Sequence, residues 1–336
     1  MKPFTSPSRL LKSLTTVTLA IAALAGTAAA TVPGLPLFYY TGIDLGAAGW
    51  NYNGNVRQWA VFSLNNGISA TATTASVGTP TIVGDVGTNG GNISLSGNAY
   101  LFSHAHIRTG NTLVRAGLSR LDGSNTVSPT QTPFGPTPLT GRALNVIEPQ
   151  NVASDLLVNQ VFIDATAAST AAAAKSTFFV GASATGFSLG SGVINLSVMD
   201  GILTAPGAKV VLNLTDFIIT AGRTFEIVGN QFTSLVINVS NTFSLINGNV
   251  KLTGVLGGNV IFNVVGSGSN VNVNANSVVG VTATPNDLND QNAAIILAPG
   301  RQVIVGSGSL VRGTLIARGV SISGNSRVIK PTWASP

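Results

Sequence analysis

Short runs of β-branched and other apolar residues alternate with clusters of Gly, Asn and Ser over most of the chain, a pattern that predicts short β-strands. Four runs share one order, in which two apolar residues precede Asn and another apolar residue follows it. The four asparagines stand 18, 25 and 25 residues apart, at Asn195, Asn213, Asn238 and Asn263. Such a recurrence is typical of a solenoid, in which each coil buries its apolar face against the next. Stacked asparagines would form a ladder of hydrogen bonds; the alternative is coincidence in a chain rich in Asn and Val.

One segment departs from the strand pattern. Residues 154–175 contain no Gly or Pro and are rich in Ala. Apolar or small residues recur there at helical spacing, at Leu157, Val161, Ala165, Ala168 and Ala172. We predict one amphipathic helix over 154–175, with a small Ala face that allows close approach to a sheet. Residues 127–153 contain five prolines and are predicted to form an irregular crossover.

The fold class predicted from these patterns is all-β, a β-solenoid or β-helix of short stacked coils with the Ala-rich helix packed alongside. A single domain is expected over residues 31–336. Within it we expect an N-terminal cap region at 31–80, a first β segment at 81–126 and the main β segment at 176–336. The cap is expected because an open solenoid end needs covering and aromatic residues concentrate there, at Phe38, Tyr39, Tyr40, Trp50, Tyr52, Trp59 and Phe62.

Residues 1–30 have the pattern of an export signal. Lys2, Arg9 and Lys12 precede an apolar stretch, and Ala28-Ala29-Ala30 offers a cleavage site of small residues. The apolar stretch is shorter than the ~20 residues that a membrane span needs, so a transmembrane anchor is the weaker interpretation. We predict a secreted protein, extracellular or at the cell surface, with no membrane span in the mature chain.

Composition narrows the function classes. The 336-residue chain has no Cys, which excludes disulfide scaffolds and thiol chemistry, and only 8% of its residues are charged. Three of 17 cations and none of 11 acids lie in residues 1–30, so the remainder carries 14 cations against 11 acids, a net +3. A balance this small does not indicate a nucleic-acid partner.

Candidate chemistry is sparse, and we predict no catalytic, cofactor or metal site and no enzyme activity. His104 and His106 would share one face of a strand, but no third metal ligand falls at a convincing spacing. Asp287 and Asp290 lie in an oxygen-rich stretch that lacks the glycine and terminal glutamate of a calcium loop. The minor alternative is a β-helix polysaccharide hydrolase or lyase, for which a carboxylate pair is needed. Asp200 and Asp216 follow strands in neighbouring predicted coils and are the candidates for that pair.

Seven short stretches carry a resemblance to known proteins: 59–64 (WAVFSL), 82–87 (IVGDVG), 164–174 (DATAASTAAAA), 234–239 (SLVINV), 259–264 (NVIFNV), 295–299 (IILAP) and 308–317 (GSLVRGTLIA). These stretches resemble the choice-of-anchor A family of bacterial exported proteins, and the order of β segment, helix and β segment is similar to microbial ice-binding β-solenoid proteins. The resemblance covers roughly residues 44–330 and implies a non-catalytic extracellular β-solenoid with an adhesive or matrix role. The family is named for varied C-terminal anchors; residues 328–336 contain no hydrophobic tail and no recognisable sorting signal, so we expect no such anchor here.

Two functions therefore compete. The first is a structural or adhesive surface or matrix protein, whose partner is a cell-wall or matrix polysaccharide or a surface protein. The five cations and no acids of residues 301–330 would suit it if they form one stripe instead of scattered solubilising charge. The alternative is an ice-binding, antifreeze-like protein. Residues 70–76 (ATATTAS) offer suitable side chains, but no Thr-x-Thr ladder repeats at coil spacing.

Overall fold

A computed structural model describes residues 59–73, 80–103, 106–115, 120–123, 126–131, 146–147, 152–230, 232–255, 259–281 and 293–330. Within these ranges the chain forms 23 strands and one long helix. Ten strands precede the helix: β1 Trp59–Ser63, β2 Ile68–Ala72, β3 Ile82–Val83, β4 Asp85–Thr88, β5 Ile93–Gly97, β6 Tyr100–Ser103, β7 His106–Arg115, β8 Arg120–Gly123, β9 Thr126–Gln131 and β10 Val146–Ile147. The helix, α1, is Val152–Ala173.

Thirteen strands follow the helix. They are β11 Ser183–Thr185, β12 Val193–Leu196, β13 Gly201–Thr204, β14 Lys209–Thr220, β15 Thr224–Val228, β16 Ser234–Ile246, β17 Asn249–Thr253, β18 Val260–Val264, β19 Val271–Asn274, β20 Val278–Val279, β21 Ala294–Val305, β22 Leu310–Ile322 and β23 Arg327–Ile329. Apart from β11, which runs antiparallel to β13, every described strand pair is parallel. The predicted all-β solenoid is confirmed by this pairing.

Each coil of the solenoid has three sides, and the longer strands turn the corner between two of them. In the coil 209–228, the first half of β14 lies on the side that α1 covers, which we call the helix face. The second half of β14, residues 216–220, lies on the next side, the open face, where it pairs with β12 and with the second half of β16. Strand β15 lies on the third face, between β13 and β17.

The interior is filled by residues that point inward from all three faces. Alternation along the strands places every second side chain there, and most of these are Val, Leu and Ile. Aromatic rings stack from coil to coil within this core: Phe217 lies 5.2 Å from Phe243 and 5.3 Å from Phe262, centroid to centroid. Because one coil has no second layer of its own, each ring is buried only when its neighbouring coils are in place.

The order of the coils differs from their order in the sequence. On the helix face, residues 313–317 of β22 pair with β21 on one side and with β1 on the other. On the third face, β23 likewise joins β22 to β3. The last coil of the chain is therefore inserted between the coil that contains β21 and the coil that begins at β1.

This insertion changes the expected role of the N-terminal region. Strands β1 and β2 belong to the stretch 31–80 that the sequence suggested as a cap, yet they are inside the stack. Trp59 and Phe62 are buried under the helix, with ring centroids 5.1 Å apart. The other aromatic residues of that stretch lie outside the described residues, as do the predicted leader and its cleavage site.

Two further boundaries differ from expectation. Helix α1 begins at Val152 and ends at Ala173, two residues earlier at each end than predicted. The stretch 127–153, expected to be irregular, contains most of β9 and all of β10, which extend the helix-face sheet. Within the described residues, no helix combines the length and the apolar character that a membrane crossing requires.

Candidate functional site

The open face carries a regular row of outward side chains. Register places these residues side by side on eight adjacent strands, and most are small and polar. In spatial order the first row is Asn195, Ile218, Ser244, Asn272, Ile304, Ser321, Ser69 and Ser94. Ser244 is only 8% exposed, and the other seven are partly or fully exposed. Neighbouring strands of a sheet are about 4.8 Å apart, so the row is a ladder of hydroxyl, amide and methyl groups at that spacing.

A second row lies two residues further along the same strands, about 6.6 Å away. It begins with Thr220, Ile246 and Asn274 and ends with Thr71 and Ser96, whose hydroxyl oxygens are 2.7 Å apart. Between these ends lie Gly306 and Ser323: a Cβ added to Gly306 would meet the side chains of Asn274 and Ser323. The two rows together form a grid of uncharged positions.

Charge is almost absent from the described side chains of this face. Asp216, at the start of its strand, is the exception. Its Oδ1 accepts hydrogen bonds from Nδ2 of Asn241 at 2.9 Å and from the backbone N–H of Thr242 at 3.1 Å. The carboxylate is thus held against the corner of the coil, and the grid beyond it presents only hydroxyl, amide and aliphatic groups.

Three of the four recurrent asparagines lie side by side on the helix face. Asn213, Asn238 and Asn263 pair in register. The Nδ2 of Asn238 donates to Oδ1 of Asn213 at 2.7 Å, and the Nδ2 of Asn263 donates to Oδ1 of Asn238 at 2.8 Å. The predicted ladder is present for these three. Asn195 is not part of it: its strand lies on the open face and pairs it with Ile218. The same four-letter pattern thus occurs on two different faces.

The asparagine ladder also binds α1. The three Nδ2 groups donate to backbone carbonyls at the C-terminal end of the helical segment, from Asn213 to Lys175, from Asn238 to Ala172 and from Asn263 to Ser169, at 2.8–3.0 Å. The helix thereby covers the helix face, and among the three sides of the coil the open face is the one that presents its small polar rows to solvent.

Two of the five cations of residues 301–330 do not contribute to the surface stripe considered above. Arg301 is only 2% exposed, and its guanidinium donates to backbone carbonyls at the corner between the helix face and the open face. These belong to Ser240, Asn241, Val265, Gly266 and Ser269. Burial lowers the pKa of this guanidinium. Arg312 is fully buried, so both arginines serve the fold instead of a polyanion.

The third face carries an ion pair. Lys251 Nζ lies 2.9 Å from Glu226 Oε1, and the Thr253 hydroxyl donates to the same oxygen at 2.6 Å. These hydrogen bonds, first from Thr253 and then from Lys251, lower the pKa of the Glu226 carboxyl below its usual value. Both side chains of the pair are partly exposed. The partners of Glu226 in this pair are an ammonium and a hydroxyl group, so the pair does not supply the second carboxylate that a glycoside hydrolase would need.

The carboxylates suggested for an enzyme do not converge. Asp216 begins its open-face strand, opposite Val193, whereas Asp200 follows the end of β12 at the next corner. There the Asp200 Oδ1 accepts the backbone N–H of Thr224 at 2.9 Å. The two acids therefore lie at opposite ends of the open-face strands, and the hydrolase or lyase alternative loses its one candidate pair.

The other candidate residues cannot be located as a site. His104, Asp287 and Asp290 lie outside the described residues, and the side chain of His106 is likewise not described. In the part of the chain that the structure does describe, no group of three or more His, Asp or Glu side chains is arranged to hold a metal ion.

Comparisons with known proteins give structural neighbours alone. No family model matches the chain, so the resemblance to the choice-of-anchor A family gains no support, and no curated protein matches it. The glycosylated ice-binding protein LeIBP from an Arctic yeast is 15% identical, with 88% of this chain and 96% of that chain covered and a TM-score of 0.40. The Shewanella frigidimarina ice-binding protein_1 DUF3494 domain is 15% identical, with 82% and 95% covered and a TM-score of 0.38.

A third neighbour is the ice-binding protein from the Antarctic ascomycete Antarctomyces psychrotrophicus, which is 14% identical, with 86% of this chain and 99% of that chain covered and a TM-score of 0.35. With TM-scores of 0.40 or less and identities of 15% or less, these likenesses carry no argument for the function of this chain.

The open-face grid is the feature that sequence reasoning missed. Its members are separated irregularly along the chain, and Ser69 and Ser94 join Ser321 only because the last coil is inserted before the first. The run 70–76 contributes less than expected: Thr71 belongs to the second row, Ala70 and Ala72 point inward, and Thr73 sits at a corner bonded to Asn325. Residues 74–76 lie outside the described part.

Proposed function

We propose that the protein binds ice through its open face. The observation that carries this proposal is the pair of uncharged rows, repeated over adjacent coils at the spacing of a parallel sheet. We further propose that residues 1–30 direct export, because they have the basic start, apolar stretch and small residues of an export signal. Export would bring the protein to ice outside the cell. Ice binding, rather than adhesion, is therefore the function we propose first.

Surface chemistry supports ice as the ligand. Hydroxyl and amide groups such as those of Ser321 and Asn272 exchange hydrogen bonds with ordered water at little cost. Aliphatic groups such as those of Ile218 and Ile304 restrict the orientation of the water around them without binding it. Ammonium groups, in contrast, hold water strongly around a point charge. The grid combines hydroxyl and amide groups with aliphatic groups and has no ammonium group among its described side chains, so it is suited to a layer of ordered water.

Rigidity supports the proposal as well. Except at β12, which pairs only with β14 among the described strands, the backbone of each row is fixed by parallel ladders on both sides. The side chains are short, so they lose little rotamer entropy when they are ordered against a solid surface. Hydrogen bonds within the second row, such as that between Thr71 and Ser96, fix it further. Preorganisation of this kind lowers the free-energy cost of binding.

The first experiment is inhibition of ice recrystallisation by the purified protein, with heat-denatured protein as the control. We expect inhibition that is lost on denaturation, because the grid exists only in the folded stack. A folded protein without any inhibition at high concentration would contradict the proposal.

A variant pair locates the activity. Ser69→Tyr places a large ring in the first row between Ser321 and Ser94, where a flat ice surface would be held away from the neighbouring side chains. We expect the concentration needed for inhibition to rise about tenfold, which corresponds to about 1.4 kcal/mol of binding free energy. Thr166→Tyr, on the exposed side of α1, is the matched control and should leave inhibition unchanged. Equal activity of the two variants would exclude the open face.

Adhesion to an acidic polysaccharide is the second candidate, favoured by one depression near the C-terminal end of α1. It has a volume of about 340 Å³ and is lined by Lys175, Ser176, Thr177, Phe178, Lys209, Val210 and Val211. The half-exposed Phe178 ring and two ammonium groups suit a sugar ring that carries a carboxylate. We expect retention on a polyuronate matrix that is weakened by Phe178→Ser; equal retention on neutral dextran would contradict this candidate.

A further inference from the structure

The coils differ in length at the corner between the helix face and the open face. Register is continuous on both sides of this corner, from Asn213 to Leu297 on the helix face and from Ile218 to Ile304 on the open face. Between these two levels the chain advances by unequal numbers of residues in successive coils: five (213 to 218), six (238 to 244), nine (263 to 272) and seven (297 to 304). The corner must absorb this difference, because the open-face strands remain aligned.

Arg301 occupies this corner. Its side chain is only 2% exposed, and it reaches from its own coil over the two neighbouring coils of the stack. Its N–H groups donate to backbone carbonyls of those two coils, which belong to Ser240, Asn241, Val265, Gly266 and Ser269. The longest corner lies against the guanidinium, since a Cβ added to Gly268 would be 3.1 Å from its central carbon. The guanidinium thus fills the space that the unequal corners enclose.

Asp216 extends this network to a fourth coil. Asn241, whose carbonyl accepts from Arg301, donates through Nδ2 to the Asp216 carboxylate at 2.9 Å. Thr242 donates its backbone N–H to the same carboxylate oxygen at 3.1 Å. The network therefore joins four adjacent coils close to the points where their open-face strands begin. Those strands carry half of the first row: Ile218, Ser244, Asn272 and Ile304.

We propose that Arg301 is a positioning residue of the open face, whose guanidinium aligns the starts of these open-face strands so that their outward side chains form one surface. The inference rests on the proposed ice binding, because a rigid flat ligand meets all of the strands only when they are aligned. Preorganisation of this kind lowers the cost of binding. A guanidinium has five N–H donors fixed in one plane and can bind several coils at once, whereas a lysine ammonium is a compact point charge with three donors.

The first test is amide hydrogen exchange, which does not involve ice. Arg301→Ala removes the donors of carbonyls at an enclosed corner, where such a loss is costly. We expect exchange to become about tenfold faster in the open-face strands at 216–220, 242–246 and 271–274, with little change in the third-face strands β15 and β17. Arg301→Lys keeps the charge and most of the side-chain volume, so it is the milder second variant and should show the same pattern.

Arg327→Ala is the matched control for both tests. Arg327 is also partly buried, and its Nε donates to the Pro80 carbonyl at 3.0 Å, but it lies on the third face. Its removal should leave the open-face strands protected and ice inhibition unchanged. Comparison of the two arginines therefore separates alignment of the open face from a general contribution to stability.

The second test is inhibition of ice recrystallisation with chemical rescue. Arg301→Ala should need about tenfold more protein for the same inhibition, because displaced strands lose contact with a rigid surface. Ethylguanidinium at about 10 mM, far below denaturing concentrations, should bind the vacated corner and restore inhibition. Ethylammonium at the same concentration should not restore it, because it lacks the planar set of donors. Neither compound should change the activity of the unchanged protein.

Three results would overturn the inference. Exchange in the open-face strands would be unaffected by both Arg301 variants, or Arg301→Ala and Arg327→Ala would lose inhibition equally, or ethylguanidinium would restore the melting temperature of Arg301→Ala without restoring inhibition. Failure of the proposed function gives a different result. If the unchanged protein does not inhibit recrystallisation while Arg301→Ala still loosens the open-face strands alone, ice binding is contradicted and the alignment of the coils by Arg301 stands.

Discussion

Single side chains link elements that are far apart in the sequence. Asn238 donates through Nδ2 to the Ala172 carbonyl and to Asn213, and accepts through Oδ1 from Asn263. Both the amide nitrogen and the amide oxygen of Asn238 therefore have hydrogen-bond partners. The side chain is buried, where the loss of a hydrogen-bond partner is costly. Arg301 acts in the same way at a corner, where one guanidinium holds together carbonyls of two coils.

We expect Asn238→Ala to lower the free energy of unfolding by about 2–3 kcal/mol, because a buried carbonyl and two amide groups lose their partner. Chemical denaturation followed by circular dichroism measures it. Asn195→Ala is the matched control, since it has the same sequence context but an exposed side chain, and should cost less than about 0.5 kcal/mol. Equal costs would show that the ladder contributes nothing to stability.

Glu226 gives a pH-dependent prediction. Its folded-state pKa is lowered by Thr253 and Lys251, so its contribution is present above the unfolded-state pKa and is lost as the pH falls through the folded-state pKa. Because Lys251 is substantially exposed, solvent screening limits the contribution to less than about 1 kcal/mol. Glu226→Gln should therefore destabilise slightly at neutral pH and not at all in strong acid. A cost that grows with acidity would contradict the assignment.

At the scale of elements, α1 contacts the sheet through small residues. Val161, Ala165, Ala168 and Ala172 are fully buried against the helix face, and the asparagine ladder can reach the helix carbonyls only because these side chains are short. The alanine face therefore sets the distance at which the helix docks.

Ala168→Leu is expected to reduce the free energy of unfolding by about 1–3 kcal/mol, because three added carbon atoms have no space between helix and sheet. Substitution of the adjacent residue, Ala167→Leu, adds the same atoms at an exposed position. It should change the free energy of unfolding by less than about 0.5 kcal/mol. Thermal unfolding of both variants compares them directly; similar melting temperatures would mean that the helix docks loosely.

At the scale of the whole molecule, the inserted last coil joins the early and late parts of the chain. Thr314 Oγ1 donates to the Trp59 carbonyl, and Ser63 Oγ donates to that of Arg318. Each of these bonds joins residues 255 positions apart. The pairing of β1 and β2 with β22 can form only after the ends of this long loop have met, so these early strands are expected to gain protection late.

Gly313 marks the place where β22 turns from the third face onto the helix face. Its φ is +138°, and an added Cβ would collide with the Ala294 carbonyl oxygen of the neighbouring coil. We expect Gly313→Ala to cost about 3 kcal/mol or more, by strain and by separation of the coils. Gly190→Ala, with open space around it, is the control and should be tolerated. Calorimetry distinguishes them, and a Gly313 variant with an unchanged melting temperature would contradict this account.

The sequence by itself determined the local features of this protein. Runs of β-branched residues and turn formers specified strands, Ala at helical spacing specified α1 to within two residues at each end, and the 25-residue spacing specified the ladder of Asn213, Asn238 and Asn263. These features depend on residues that are close in sequence or on a single repeat length, so a short stretch of sequence is enough to specify each of them.

Tertiary structure alone decided the rest. The pattern around Asn195 is the same as that around Asn213, yet the two lie on different faces, because a face is assigned by where the coil turns and by what covers it. The open-face grid exists because the last coil is inserted beside β1 and β2, which places Ser321 next to Ser69. Pairing of this kind depends on contacts between residues far apart in sequence, and a local pattern does not encode them.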